Sequence, residues 1–455
     1  METIIIIVFV VGYLAITMEH NLKIDKLIPA LAMMAILWAI IALAHMDVFE
    51  VNTALKELEP THIDEILLHH LGKTAEILVF LLGAMTIVEI IDYFDGFATI
   101  KGYIKTKSKR KLLWLFSILA FILSAIIDNL TATIVLVTIL QKVIKERDTR
   151  LWFAGMIIIA ANAGGAWSPI GDVTTTMLWI GNKVTATVLI EHVLLPSIVC
   201  MVVPVLFASR YKAFKGNISE DVDTLEEPKS RFGATMLYLG LGAIVFVPFF
   251  KTITHLPPYV GMMLSLAVVA TFAELYSSTK FSISSLDGEG HDTVGHHSPV
   301  HASLSKIELP SILFFLGILL AVAALESLGM LFHFAGSLEN NLPMLGTESQ
   351  GELVSDLVVL ILGVGSAVID NVPLVAASMG MFSVPIDDPV WHFIAYSAGT
   401  GGSMLIIGSA AGVVAMGMEK IDFFWYLKKI AWLAFLGFIG GAIAFVLIRN
   451  FVLHG

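Results

Sequence analysis

The apolar run from Leu112 to Gln141 begins and ends among basic residues, and this constrains the fold more than any other stretch. Lys101, Lys105, Lys107, Lys109, Arg110 and Lys111 precede it; Lys142, Lys145, Arg147 and Arg150 follow it. Positive flanks mark the cytoplasmic side of a membrane, so both ends lie on one side. Two full crossings need about 40 apolar residues, since each spans about 30 Å of hydrocarbon at 1.5 Å per residue. The run is shorter than that and carries Asp128 and Asn129 at its centre. It is expected to be a re-entrant hairpin of two half-helices over about residues 112–141, with Ser124-Ala125-Ile126-Ile127-Asp128-Asn129 at its tip.

The hexad returns as Ser366-Ala367-Val368-Ile369-Asp370-Asn371. Here the flanks are acidic: Glu339, Glu348, Glu352 and Asp356 before, Asp387 and Asp388 after. A second hairpin is therefore expected over about 357–386, entering from the outside. Each copy places a carboxylate and a carboxamide in hydrocarbon, where an unsatisfied polar group costs several kcal/mol. Residues kept there bind something.

Composition supports a membrane-embedded chain. Hydrophobic residues make up 57% and charged residues 14% of the 455, against roughly 25% charged in soluble domains. The apolar runs are unbroken, which excludes the alternating pattern of a transmembrane β-barrel. The net charge of −11 argues against nucleic acid, and no phosphate-cradling GxxxxGK[ST] loop points to a nucleotide. A single cysteine, Cys200, excludes an internal disulfide and multi-cysteine metal sites. No cofactor is expected. Met1-Glu2-Thr3 runs directly into Ile4 without a basic n-region, so the first helix is expected to be retained.

Each hairpin is followed by a glycine-broken segment: Ala161-Asn162-Ala163-Gly164-Gly165-Ala166-Trp167-Ser168-Pro169-Ile170-Gly171-Asp172-Val173-Thr174, then Ser397 to Ser409. Glycine clusters and Pro169 free backbone groups that a ligand, water or protein must satisfy. Broken helices are expected at about 151–181 and 391–417. Other spans are expected at about 3–18, 27–44, 74–97, 184–207, 232–250, 258–276, 308–334 and 424–448. Residues 47–73 mix acids and histidines with leucines and are expected to lie at the interface as an amphipathic segment. Walking the orientation along the chain makes every second-half element antiparallel to its counterpart, and Gly83 to Asp92 repeats the spacing of Gly317 to Glu326.

The expected architecture is an all-α polytopic membrane protein. It has two inverted-topology repeats, each of about five transmembrane helices plus one re-entrant hairpin and one broken helix. The first covers 1–207 and the second 232–455, joined by a cytoplasmic linker at 208–231, with both termini extracytoplasmic.

Asp128 and Asp370 are the leading candidates for cation and proton binding. Asn129, Asn371, Ser124, Ser366, Thr131 and Thr133 add neutral oxygens, which hard cations take as ligands; the hydroxyls are equally able to bond back to their own helices. Asn162, Ser168, Thr174 and Ser403 on the broken segments join the candidate set. Asp172 has no acidic counterpart in Ser403 to Gly408, which weights the site toward the first half; it also suits the N-cap of a half-helix. Glu89 and Glu326 are candidates for a proton path, beside Asp92 and Asp95 at the interface. His291, His296, His297 and His301 belong to a linker-like Ser/Gly-rich loop, and Asn217-Ile218-Ser219 is a sequon in a loop placed in the cytoplasm. Gly437, Gly440 and Gly441 suggest close helix packing.

The paired hexads, NAGGAWSPIGDVTT and SAGTGGSMLIIGSAAG, together resemble the NhaD-type Na⁺/H⁺ antiporters of the ion transporter superfamily, which also holds arsenite permeases and divalent anion:sodium symporters. The resemblance spans about residues 75–420. It implies homodimers in a bacterial cytoplasmic (inner) membrane, in which hairpins and broken helices move as a transport domain against a scaffold. It also implies that Asp128, Asn129, Asp172, Asp370 and Asn371 surround Na⁺, with Li⁺ and H⁺ as further transported ions. The alternatives are an arsenite or dicarboxylate-type anion transporter, since half-helix N-termini favour anions, and an intramembrane hydrolase using Asp128 and Asp370 as a catalytic pair.

Overall fold

The computed structural model describes the chain except residues 19–22, 53–56, 103, 105, 219–231, 285–297, 308, 332, 335–345, 350–351, 369–370, 383 and 454–455. Asp370, His291, His296, His297 and most of the expected linker thus lie outside the described residues. His301 is exposed on a short helix, Pro299–Leu304.

The chain is mostly helical. The first third contains α1 (Glu2–Thr17), α2 (Leu27–Leu43) and α3 (Ile63–Tyr93). Next come α4 (Lys109–Ile127), α5 (Asn129–Val143), α6 (Arg147–Ala166), α7 (Val173–Ile180) and α8 (Ala186–Ala208). The second half carries α9 (Gly233–Thr254), α10 (Pro258–Ser284), α11 (Leu309–Ser327), α12 (Asp356–Gly365), α13 (Asn371–Met381), α14 (Pro389–Gly401), α15 (Ala410–Glu419), α16 (Phe423–Lys429) and α17 (Ala431–Ile448). Among the described residues, seven helices are long and apolar enough to cross a membrane, and α1, α2, α5, α12, α13 and α15 are shorter apolar helices.

Residues 47–73 depart from the sequence expectation. Val48–Asn52 (β1) and Glu57–Thr61 (β2) form an antiparallel ribbon, and the helix after it starts at Ile63. Pro60, which lacks an amide N–H, lies opposite Phe49, one pair before the ribbon ends at Val48 and Thr61. Asp64, Glu65 and Lys73 occupy the first turns of α3. A rule that waits for an uninterrupted apolar run therefore starts the span too late. A second ribbon pairs Gly346–Ser349 (β3) with Glu352–Ser355 (β4), immediately before α12.

Two packed groups emerge. In one, α1 lies on α2, α2 on α11, α3 on α10 and α11, and α9 on α10. Trp38 of α2 donates from Nε1 to the Leu320 carbonyl of α11 at 2.9 Å. In the other, α4 packs on α5 and α6, α12 on α14, α5 on α15, and α7 on α13. Along the edge of this second group α8 and α17 run side by side. Gly437 and Gly441 of α17 permit that approach, because a Cβ at either would meet backbone of α8. Gly440 is less critical, with only Val199 and Val203 side chains at ordinary contact distance.

The entry to α4 is held by residues just past α8. Lys109 N–H donates to Gly216 O at 3.0 Å and Ile218 N–H to Lys107 O at 2.9 Å. Lys109 Nζ also pairs with Glu146 at 3.0 Å, before α6. The Lys109–Glu146 pair holds together the basic segments on either side of α4 and α5.

Candidate functional site

The helices break where the sequence predicts. Between α4 and α5 the chain turns on Asp128, whose φ of 82° is a left-handed value rare for a residue with a Cβ. Both its carboxylate oxygens meet Thr131: Oδ1 accepts from the backbone N–H at 2.7 Å and Oδ2 from the hydroxyl at 2.9 Å. Asp128 therefore caps α5, and its charge faces the positive end of that helix. Asp172 caps α7 in the same manner, Oδ1 accepting from Thr174 N–H at 3.1 Å.

Asp172 is the centre of a buried polar network. Its Oδ2 accepts from Asn129 Nδ2 of α5 at 2.9 Å and from Asn371 Nδ2 of α13 at 3.2 Å. Asn129 Nδ2 also donates to Asn162 Oδ1 at 3.0 Å. Asn162, on α6, then spends both amide hydrogens on the second half, donating to Ser403 Oγ and Ser409 Oγ at 2.9 Å each. Asp172 is 2% exposed and Asn162 wholly buried. One connected set of side chains thus joins α5, α6, α7, α13 and the break between α14 and α15.

Four half-helix N-termini contribute to this network: those of α5, α7, α13 and α15, whose N-cap is Ser409. Their partial positive charge stabilises a carboxylate without neutralising it. Asn129, Asn371 and the Thr174 amide are neutral donors, so they leave the negative charge of the carboxylate for a cation or a proton to neutralise. Thr133 Oγ1 and Thr174 Oγ1 are buried hydroxyls with no hydrogen-bond partner among the described residues. An unspent buried oxygen is costly unless something transient uses it.

The other sequence candidates have structural tasks. Ser124 Oγ donates to Ala161 O at 2.6 Å, tying α4 to α6. Ser366 Oγ donates to Gly363 O at 2.7 Å and Ala398 O at 3.1 Å, tying the end of α12 to α14. Ser168 Oγ accepts from Ile170 N–H at 3.4 Å inside the break. Glu89 on α3 and Glu326 on α11 are half-buried; the Glu326 carboxylate lies against Gly380 of α13. Lys183, in the turn after α7, has its ammonium pushed below the usual lysine range by burial, an effect that Glu326 opposes.

Ser409 and Tyr426 were missed by sequence reasoning. Tyr426 of α16 donates from its hydroxyl to Ser403 O at 2.8 Å, holding the second break. Ser409 had a legible signal: Gly408-Ser409 stands in its segment where Gly171-Asp172 stands in the first. A small cavity reaches this centre from the other packed group, with Phe80 and Leu81 of α3, Ile244 of α9 and Met262 of α10 facing Asp128 and Asp172.

A helical, multi-pass membrane protein with a polar centre built from interrupted helices is of the transporter class. The chain matches a family model described as citrate transporter over residues 13–391. It is 40% identical to sodium/proton antiporter 1 of Arabidopsis thaliana, over 98% of this chain and 72% of that protein. Identity to sodium/proton antiporter 2 of the same plant is 38%, over 98% and 100%. To the Na⁺/H⁺ antiporter NhaD of Vibrio cholerae it is 31%, over 93% and 87%. The chain belongs to the NhaD-type antiporter family.

Proposed function

We propose that the protein exchanges Na⁺, and Li⁺ in its place, for H⁺ by alternating access, with ion and proton competing for Asp172, Asp128 and Asp370. The observation that carries this is the buried Asp172 carboxylate, reached by one carboxamide from each half of the chain. Burial favours the neutral acid and a bound cation favours the carboxylate, so cation entry expels a proton and protonation expels the cation. Thr133, Thr174 and the freed carbonyls of both breaks complete the cation's oxygen shell.

The matching hexads, breaks and capping positions support two inverted-topology repeats, 1–207 and 232–455 about a linker at 208–231. On this basis α4 with α5 and α12 with α13 are re-entrant hairpins that meet near the bilayer midplane. The group containing α4–α7 and α12–α15 then moves against a scaffold of α1–α3 and α9–α11. Basic flanks place the start of α4 in the cytoplasm and both termini outside. Glu89 and Glu326 are assigned to a proton path, and the functional unit to a homodimer. The location is a bacterial inner membrane or its equivalent, given that plant relatives share the chain's full length.

Proteoliposomes loaded with a pH-sensitive dye test the assignment. Na⁺ and Li⁺ added in turn are expected to collapse a ΔpH, and Asp172→Asn, Asp128→Asn and Asp370→Asn each to abolish the response. Normal flux in any one variant removes that residue from the site. The family model's description favours one rival, an anion carrier. Proton flux absent with every monovalent cation but present with citrate or another carboxylate would establish it.

A further inference from the structure

The two short half-helices α7 and α15 end differently. The end of α15 is held from within its own packed group: Gln141 Nε2 of α5 donates to Met418 O at 3.4 Å, Arg147 of α6 to Lys420 O at 3.0 Å, and Arg150 of α6 pairs with Glu419 at 3.0 Å. The end of α7 is instead held from the other group. Lys251 Nζ, in the last turn of α9, donates to Trp179 O at 2.9 Å and lies 4.7 Å from the centroid of the Trp179 ring. The lysine thus uses both its charge at the negative end of a helix and a cation–π contact.

Lys251 sits on a definite stripe of α9. Gly240, Ile244, Val247 and Lys251 follow at i, i+4, i+7 and i+11 and share one face. A Cβ at Gly240 would meet Ile87 and Ile91 of α3, Ile244 lines the cavity beside Asp128, and Val247 is wholly buried. The charge therefore continues the stripe that faces α3 and the cavity beside Asp128. What it grips is rigid: after Trp179 the chain turns at Lys183, whose carbonyl accepts from Asp387 N–H at 2.9 Å, while Asp387 Oδ1 accepts from Thr185 N–H at 2.6 Å. Lys183 Nζ also lies 4.7 Å from the Trp391 ring of α14.

We propose that Lys251 is a latch across the boundary between the two groups, holding the broken-helix group in the position seen here and releasing it for each transport cycle. The latch rests on the proposed movement of that group against a scaffold, but not on which ion is carried. It makes Lys251 a positioning residue: among the described residues it is bonded to no candidate ion ligand, and it acts through α7, whose N-cap is Asp172. Loss of the charge shifts the balance between the two facing states, whereas arginine, which keeps charge, hydrogen bonding and ring contact, restores it.

The test uses the full-length protein in proteoliposomes with Cys200 replaced by alanine and a single cysteine at Ile244. Lys251→Gln is expected to raise maleimide labelling of that cysteine several-fold, and Lys251→Arg to leave it within about twofold of the parent. In right-side-out and inverted vesicles, Lys251→Gln is also expected to change the ratio of Na⁺ half-saturation values at the two faces by roughly tenfold. A merely structural lysine would lower the thermal midpoint and the rate while leaving both readouts unmoved. Unchanged labelling in folded Lys251→Gln overturns the latch, whatever the transported ion. Absence of Na⁺-dependent proton flux in the wild type overturns the exchange assignment alone, and labelling still decides the latch.

Discussion

Asp172 and Ser409 stand at matching backbone positions, with φ −148°, ψ 149° and φ −149°, ψ 153°, each capping the half-helix that follows a glycine break. A Cβ at Gly165 would meet Gly171 O at 2.5 Å and Asp172 Cβ at 3.1 Å; at Gly402 it would meet Gly408 O at 2.5 Å and Ser409 Cβ at 3.1 Å. The frames agree, and the chemistry differs. In the first break the cap is a carboxylate facing two carboxamides, while in the second it is a hydroxyl that accepts from Asn162. Asn162 itself has no equivalent in the second half, where Gly399 stands at the matching position. Shared backbone with unequal side chains gives one charged centre instead of two, and the second break serves to hold Asn162 in place.

The largest expected effect follows directly. Asp172→Asn should abolish proton exchange, because the buried carboxylate that both carboxamides reach is the one lost, whereas Ser409→Ala should lower the rate only several-fold through a loosened Asn162. Dye-monitored flux at equal reconstituted protein measures both. Equal losses would mean that the second break binds the ion as directly as the first, and would end the contrast drawn here.

Next in size is the anchoring of the two hairpins. At the second, Arg449 reaches both oxygens of Asp356 at 2.7 Å, and the arginine side chain is 5% exposed. Removing one partner of a buried bidentate pair leaves an uncompensated charge, so Asp356→Asn should cost about 3 kcal/mol. Thermal denaturation in detergent should show the loss as a lowered midpoint. An unchanged midpoint would mean that water reaches Arg449 at that end of α17.

How much of this was legible in the sequence divides along physical lines. Hexads and glycine clusters announce themselves because buried polar groups and freed backbone are rare in an apolar run, so the breaks at 128 and 167–172 follow from composition alone. The β1–β2 ribbon does not, since short strands beside a polar helix start leave no periodic signal. Nor could sequence separate Thr131, whose hydroxyl donates to the capping Asp128, from Thr133, whose hydroxyl is unspent among the described residues. That distinction depends on which face of α5 each residue occupies.

Glycines probe the shared frame itself. A Cβ at Gly164 would collide with the Phe121 backbone of α4, and one at Gly401 with Gly363 O of α12. Alanine at either site should therefore cost about 2 kcal/mol by forcing two helices apart. The two losses should be alike, because here the halves do not differ. A harmless Gly401→Ala beside a damaging Gly164→Ala would show that the second break tolerates wider spacing than the first.

The smallest effect belongs to the first hairpin's anchor, the counterpart in role of Arg449–Asp356. Glu146 accepts from Lys109 Nζ at 3.0 Å and Thr149 Oγ1 at 2.8 Å, but its side chain is 63% exposed. The Thr149 hydroxyl and then the Lys109 ammonium hold its carboxyl below the usual glutamate range. A depressed folded-state value contributes stability that is present above the unfolded value of about 4.5 and is lost as pH falls through the folded one. Solvent screens such a pair, so Glu146→Gln should cost less than about 1 kcal/mol at neutral pH and nothing further in acid. Thermal midpoints of wild type and Glu146→Gln, taken from pH 7 downward, should converge below pH about 4. A gap as wide as that of Asp356→Asn would place this exposed pair on a par with the buried one, and the entry to α4 would then be as firmly fixed as the entry to α12.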